Sequence, residues 1–263
     1  MYEFDYTRPA SLADAASRLG DEDAKLVAGG MTLIPTLKLR LAKPSQLIDL
    51  GAVPGLTGIT EDGDAVVIGA MTRHADVNRS AVVKRGVPAL AALAGMIGDP
   101  AVRNRGTIGG SISNNDPAAD YPAAVVALNA TIRTNQREIA ADQFFTGLFE
   151  TALQPGEIVT AVRFPKVAQA NYQKFRNPAS RYAIVGVFVA KTPAGVRVAV
   201  TGAGPCVFRV PAMEAALARS FTADAIKDIA IPDTDLNSDI HASAEYRAHL
   251  VGVMARRAVA ACA

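Results

Sequence analysis

Gly106-Thr107-Ile108-Gly109-Gly110-Ser111-Ile112-Ser113-Asn114-Asn115-Asp116-Pro117-Ala118-Ala119-Asp120 places a glycine pair, small hydroxyl and amide side chains, and a carboxylate within fifteen residues. Paired glycines let the main chain approach a ligand closely and turn successive N–H groups into one concavity, an arrangement that holds phosphate oxygens. The stretch reads as a cofactor cradle. A second pair stands upstream in Lys25-Leu26-Val27-Ala28-Gly29-Gly30-Met31-Thr32-Leu33, where a short apolar run, the pattern of a buried strand, breaks into Gly-Gly and then a hydroxyl. Either pair alone is equally well a tight turn. Two such loops converging on one diphosphate would supply most of a tight dinucleotide site, because each backbone N–H donated to a phosphate contributes about 1.5–3 kcal/mol.

The rest of the chain narrows the class. Its 263 residues suffice for one large or two modest domains with a proper core. The longest apolar runs, such as Tyr182 to Ala190, fall well short of the roughly 20 residues of a membrane span, so no transmembrane segment is expected. The start, Met1-Tyr2-Glu3-Phe4-Asp5-Tyr6, lacks the basic-then-apolar order of a secretory signal, and the expected location is cytoplasmic. Lys plus Arg number 27 against 25 for Asp plus Glu, with no dense basic run, which sets nucleic-acid binding aside. Two cysteines, Cys206 and Cys262, form no CxxC. This chain therefore cannot by itself ligate a four-cysteine iron–sulfur cluster or a structural zinc, and any cluster would belong to a partner.

Ser11 opens a helical pattern through Leu19 with Gly20 as a stop. Leu26–Ala28, Leu47–Leu50 and Val66–Ile68 read as short strands. Pro88 starts a helix carrying Val87, Leu90, Leu93 and Ile97 at helical spacing and ending at Gly98 and Pro100. Asp116-Pro117 reads as an N-cap with proline at the first helical position, so that the cradle ends at a helix N-terminus. Ile158 to Phe164 reads as a strand. Asn171 to Arg181 is rich in Lys, Arg, Asn and Gln; Tyr182–Ala190 and the alternating Val196, Val198 and Val200 then read as an antiparallel pair. From Pro211 the chain turns helical, over Met213 to Arg219, Ala223 to Ile229 and Ser243 to Ala261. The expected division is 1–167, with two α/β subdomains, and 168–263, an antiparallel sheet with helices.

Neither a Rossmann fingerprint nor a P-loop is present, and G-x-S-x-G is absent. His74, His241 and His249 are expected in surface or capping roles, not as metal ligands. With no acid–base or nucleophile set, any redox chemistry falls to a cofactor, and no residue is assigned as catalytic. Thr107, Ser111, Ser113 and Asn114 fit either ligand contacts or loop formation. Asp120 fits either hydrogen bonds to cofactor hydroxyls or interaction with a helix dipole. Lys174 is either a solvated lysine or part of a site, and Arg103 and Arg105 neutralise phosphate, bind a neighbouring subunit or are plain surface residues.

Ala28-Gly29-Gly30-x-Thr32-Leu33-Ile34-Pro35, Ile68-Gly69-Ala70-Met71-Thr72, Ile97-Gly98-Asp99-Pro100 and Arg103 through Pro122 together resemble the FAD-binding medium subunit of the molybdenum hydroxylases, the xanthine dehydrogenase and aerobic carbon monoxide dehydrogenase family. The resemblance covers nearly the whole chain and is most specific in the first 165 residues. It implies an α+β fold: a two-subdomain FAD-binding domain of the vanillyl-alcohol oxidase (PCMH) type, followed by a smaller antiparallel-sheet-plus-helices domain. Carried over by position, Val27, Ala28, Gly29, Gly30, Met31, Thr32 and Leu33 would bind the ADP and diphosphate, and Thr107, Ile108, Gly109, Gly110 and Ser111 the diphosphate and ribityl chain. Ser113 and Asn114 would approach the isoalloxazine, Asp120 and Lys174 would lie at the flavin, and Val159 would supply an apolar contact. Met31 departs from the family, which has a polar residue there. The implied function is an electron-transfer subunit, taking electrons from iron–sulfur clusters of a small subunit that serves a molybdenum-cofactor large subunit, in a dimer of heterotrimers, and passing them to an external acceptor. The alternatives are a self-contained flavin reductase of the same fold and a non-redox scaffold.

Overall fold

The structure, a computed structural model, describes residues 1–20 and 23–262. Asp5–Thr7 and Ala24–Val27 flank Gln46–Asp49 in a parallel three-stranded sheet. Parallel strands need crossovers, which the helices Leu12–Arg18 and Leu33–Lys38 supply. The first helix starts where the sequence predicts, with the Ser11 hydroxyl accepting from the Asp14 amide.

A second, antiparallel sheet has the order Ile59–Asp62, Ala65–Gly69, Val159–Pro165, Thr131–Thr134, Glu138–Ala140. Its middle strand comes from far along the chain, so residues 70–130 form an insertion folded onto the sheet. That insertion carries the helices Pro88–Gly95, Ile108–Asn114 and Tyr121–Ala127. Val66, Ile68, Val162 and Phe164 of the sheet share one core with Leu90, Leu93, Ile112 and Val125 of the helices.

Ala170–Arg176, Ala183–Thr192, Gly195–Thr201 and Phe208–Arg209 make a third, antiparallel sheet. Successive side chains of a strand point to opposite faces. Phe188 and Ala190 accordingly join the core of the second sheet, while Val185, Val187 and Val189 pack with Met213, Val251 and Met254 from the helices Pro211–Arg219 and Ala244–Ala260. Burial on both faces explains the unbroken apolar run that the sequence shows there.

Three expectations are corrected. Asp116-Pro117 does not start a helix: the Asp116 carboxylate turns back to accept from the Ala118 amide, and the helix begins at Tyr121 with Asp120 as N-cap and Pro122 in its first turn. The helix after Pro88 stops at Gly95, short of Gly98, and Ala223–Ile226 is one 3-10 turn that does not continue to Ile229. The polar stretch from Asn171 contains the strand Ala170–Arg176. Among the described residues no helix is long and apolar enough to cross a membrane.

Candidate functional site

The two glycine turns meet. A Cβ on Gly29 would stand 2.2 Å from the Arg105 carbonyl oxygen and 2.7 Å from the Gly106 Cα, so only glycine lets these backbones touch. Gly110 faces the same junction, its Cβ position 3.2 Å from the Ala28 Cβ. Gly109 lies against Ala70, to whose carbonyl its amide donates at 2.8 Å. Gly30 makes the reversal after strand Ala24–Val27 at φ +71°, in the left-handed region.

The cradle itself differs from the expected loop. Residues Ile108–Asn114 are a helix capped by Thr107, whose hydroxyl accepts from the Gly110 amide at 3.1 Å. The amides of Ile108, Gly109 and Ser111 donate to the carbonyls of Thr72, Ala70 and Thr107. All four N–H groups are thus used within the protein. The open donors lie on the other turn: among the described residues, the amides of Gly29, Gly30, Met31, Thr32 and Leu33 have no acceptor in the chain, and Thr32 makes no side-chain cap. A consecutive run of unpartnered amides is what an anionic diphosphate satisfies. Ser111, Ser113 and Asn114 line the same space from the helix opposite.

Between the turns lies a cleft of about 480 Å³. It is lined by every residue that the family resemblance carried over except three, and neither Arg103 nor Arg105 lines it. Val27 stays in its strand opposite Asp49, Ile108 is fully buried in the core, and Lys174 sits behind Asp120. Sequence reasoning gave no site role to His74, Arg181 and Tyr182, nor to Met71, Ile97 and Gly98, although these last three stand in the motifs that carry the resemblance. Arg181 and Tyr182 reach the cleft because Asn177 accepts from the amides of Ala179 and Ser180, forming a tight turn that the Asn-Pro pair signals.

Asp120, only 5% exposed, accepts from the Tyr172 hydroxyl at 2.5 Å and from the Lys174 ammonium at 2.9 Å. Lys174 also donates to the Met96 carbonyl. Burial raises the Asp120 pKa above the ordinary carboxylate value, and the Lys174 charge with the two hydrogen bonds holds the rise back. His74 is not a surface residue: it is 4% exposed, its ring is tilted against Tyr121, and its Nδ1 has no partner among the described residues. Burial, with the Arg103 charge adding, lowers its pKa to about 4. A depressed histidine pKa stabilises the fold above the unfolded value of 6.5, and that stability is lost as pH falls toward 4. The expected loss across this window is about 3 kcal/mol in urea unfolding. A His74→Phe variant should lack it, and an unchanged slope would assign the pH dependence to another group.

The fold and the cleft define a dinucleotide-binding flavoprotein domain of the vanillyl-alcohol oxidase type joined to a smaller sheet-and-helix domain. Residues 2–167 match the family model described as the FAD binding domain in molybdopterin dehydrogenase, and residues 170–262 match the CO dehydrogenase flavoprotein C-terminal domain. The chain belongs to the FAD-binding domain family of the molybdopterin dehydrogenases. It is 37% identical to the carbon monoxide dehydrogenase medium chain of Hydrogenophaga pseudoflava, over 97% of this chain and 96% of the relative. It is 39% identical to the nicotine 6-hydroxylase medium subunit of Paenarthrobacter nicotinovorans, over 97% and 95%. A solved carbon monoxide dehydrogenase from Hydrogenophaga pseudoflava superposes with a TM-score of 0.90 at 38% identity, covering 99% of this chain and 97% of that one. The chain is an oxidoreductase subunit, its cofactor is FAD, and the open amides with the close glycine contacts fit that cofactor.

Proposed function

We propose that this chain is the electron-transfer subunit of a molybdenum hydroxylase-type dehydrogenase, working beside a molybdenum-cofactor large subunit and an iron–sulfur small subunit in a cytoplasmic dimer of heterotrimers. FAD supplies the two-electron carrier that takes electrons from clusters singly and delivers them to an external acceptor. The residues present do the rest. The amides of Gly29 to Leu33 hold the diphosphate, Ser111, Ser113 and Asn114 hold the ribityl chain and ring edge, and Val159 supplies an apolar wall. Asp120, backed by Lys174, sets the local charge; Thr107 caps the helix, Ile108 and Gly109 tie it to Thr72 and Ala70, and Gly110 faces the upstream turn at Ala28. Residues 1–167 form the flavin domain and 168–263 the domain that closes one end of the cleft through Arg181 and Tyr182.

One observation carries this reading: a consecutive run of unpartnered amides on one glycine turn, held by backbone contact against a second turn, with Ser111 and Ser113 lining the same cleft. The absence of any four-thiolate set in the chain supports an outside source of cluster electrons. The test is to purify the native protein and add substrate anaerobically. The expected result is co-purifying molybdenum and cluster subunits and bleaching of the flavin band near about 450 nm. Full turnover by the isolated chain would establish the self-contained reductase instead, and a colourless protein would leave the scaffold.

A further inference from the structure

We propose that Tyr172 is a positioning residue of the flavin site, holding the Asp120 carboxylate at the cleft wall against Lys174; this rests on the FAD reading above. The geometry is specific. Tyr172 and Lys174 are two apart on strand Ala170–Arg176 and so project from one face, where they grip different oxygens of one carboxylate, Oδ1 at 2.5 Å and Oδ2 at 2.9 Å. Asp120 lines the cleft, whereas neither of its partners does. The neighbouring strand makes room for the phenol: a Cβ on Gly186 would lie 2.2 Å from the Tyr172 hydroxyl oxygen. The Tyr172 ring stacks on Phe188 at 6.1 Å, which fixes the direction of its O–H.

A carboxylate buried beside an electron carrier is a charge that the carrier feels, and its effect depends on how far its negative charge is dispersed. Short hydrogen bonds to an ionised group do that dispersing. The two donors partly neutralise the Asp120 carboxylate; with one removed, more negative charge stays at the cleft. Other groups bear on it. Tyr121, next on the same helix, has a buried hydroxyl with no partner among the described residues and packs on His74, and Asp116 and Tyr182 line the same cleft. Among the described residues only Tyr172 and Lys174 donate side-chain hydrogen bonds to Asp120.

The test is Tyr172→Phe in the assembled, flavin-containing complex. The phenylalanine keeps the ring contact with Phe188, so the fold persists. The expected result is a more negative flavin midpoint potential and FAD binding about tenfold weaker, the effect of one charge-assisted hydrogen bond. In an Asp120→Asn background, Tyr172→Phe should change neither quantity further. An unchanged potential overturns the proposal, as does a shift of equal size in the Asp120→Asn background, which would make Tyr172 a packing residue. Loss of flavin from the wild-type complex would overturn the FAD reading along with this one; a flavin-loaded wild type beside an indifferent variant overturns this one alone.

Discussion

Gly29→Ala strips the protein of its flavin while leaving it folded. The added carbon would stand 2.2 Å from a carbonyl oxygen of the opposite turn and 2.7 Å from a Cα, and neither obstacle is a side chain that can rotate away. The turns must part, and the open amides of Gly29 to Leu33 move off their common target. Losing two charge-assisted bonds of about 1.5–3 kcal/mol each weakens FAD binding at least about a hundredfold. Gly29 itself belongs to none of the three hydrophobic clusters, so circular dichroism should match the wild type. Stoichiometric flavin in purified Gly29→Ala would refute the claim that backbone contact between the turns builds the site. Gly110→Val tests the same junction from the other side, where its γ-carbons press toward Ala28 and the Thr107 hydroxyl.

That junction shows what the sequence could and could not convey. The glycine pairs mark the site because the absence of a side chain is itself the structural requirement, and the requirement is legible in one dimension. What they touch is not. Gly109 and Gly110 carry no helix signal, since glycine costs about 1 kcal/mol in a helix, yet tertiary bonds from the Ile108 and Gly109 amides to Thr72 and Ala70 fix the first turn of Ile108–Asn114. The close approach serves turn against turn, and the amides left open are those of the upstream turn.

Lys174 shows a second kind of illegibility. A buried strand is recognised by apolar alternation, and Ala170–Arg176 breaks the rule because the inward positions include Tyr172 and Lys174. Their polarity is matched by Asp120, fifty-four residues earlier for Lys174, and no local pattern announces the pairing. Asp116 misled for the opposite reason: its local signal is a good N-cap, but the Pro117 carbonyl accepts from the Gly202 amide and the Thr201 hydroxyl, which ties the segment to the third sheet. The family resemblance placed Asp120 and Lys174 at the flavin; the structure puts Asp120 in the cleft wall and Lys174 behind it.

Lys174→Met is expected to be the most destabilising single change in the protein, because it leaves Asp120 buried without a counter-charge. Breaking a buried pair from one side costs about 3–5 kcal/mol. For a chain of this size that corresponds to a fall in Tm on the order of 10 °C. The deficit depends on pH with a definite sign. The folded-state pKa of Asp120 is already raised above the ordinary carboxylate value of 3.8, so its stabilising contribution is complete below that value and is lost as pH rises through the folded pKa. Removing the ammonium raises the folded pKa further and widens the window. The variant should therefore lie nearest to the wild type in acid and fall furthest behind at neutral pH, as read by urea unfolding across that range. Combining Lys174→Met with Asp120→Asn removes the stranded charge, and most of the lost stability should return with the pH dependence gone. A deficit that is the same at every pH, or that survives in the double variant, would mean that Lys174 acts through the packing of its stem and not through its charge.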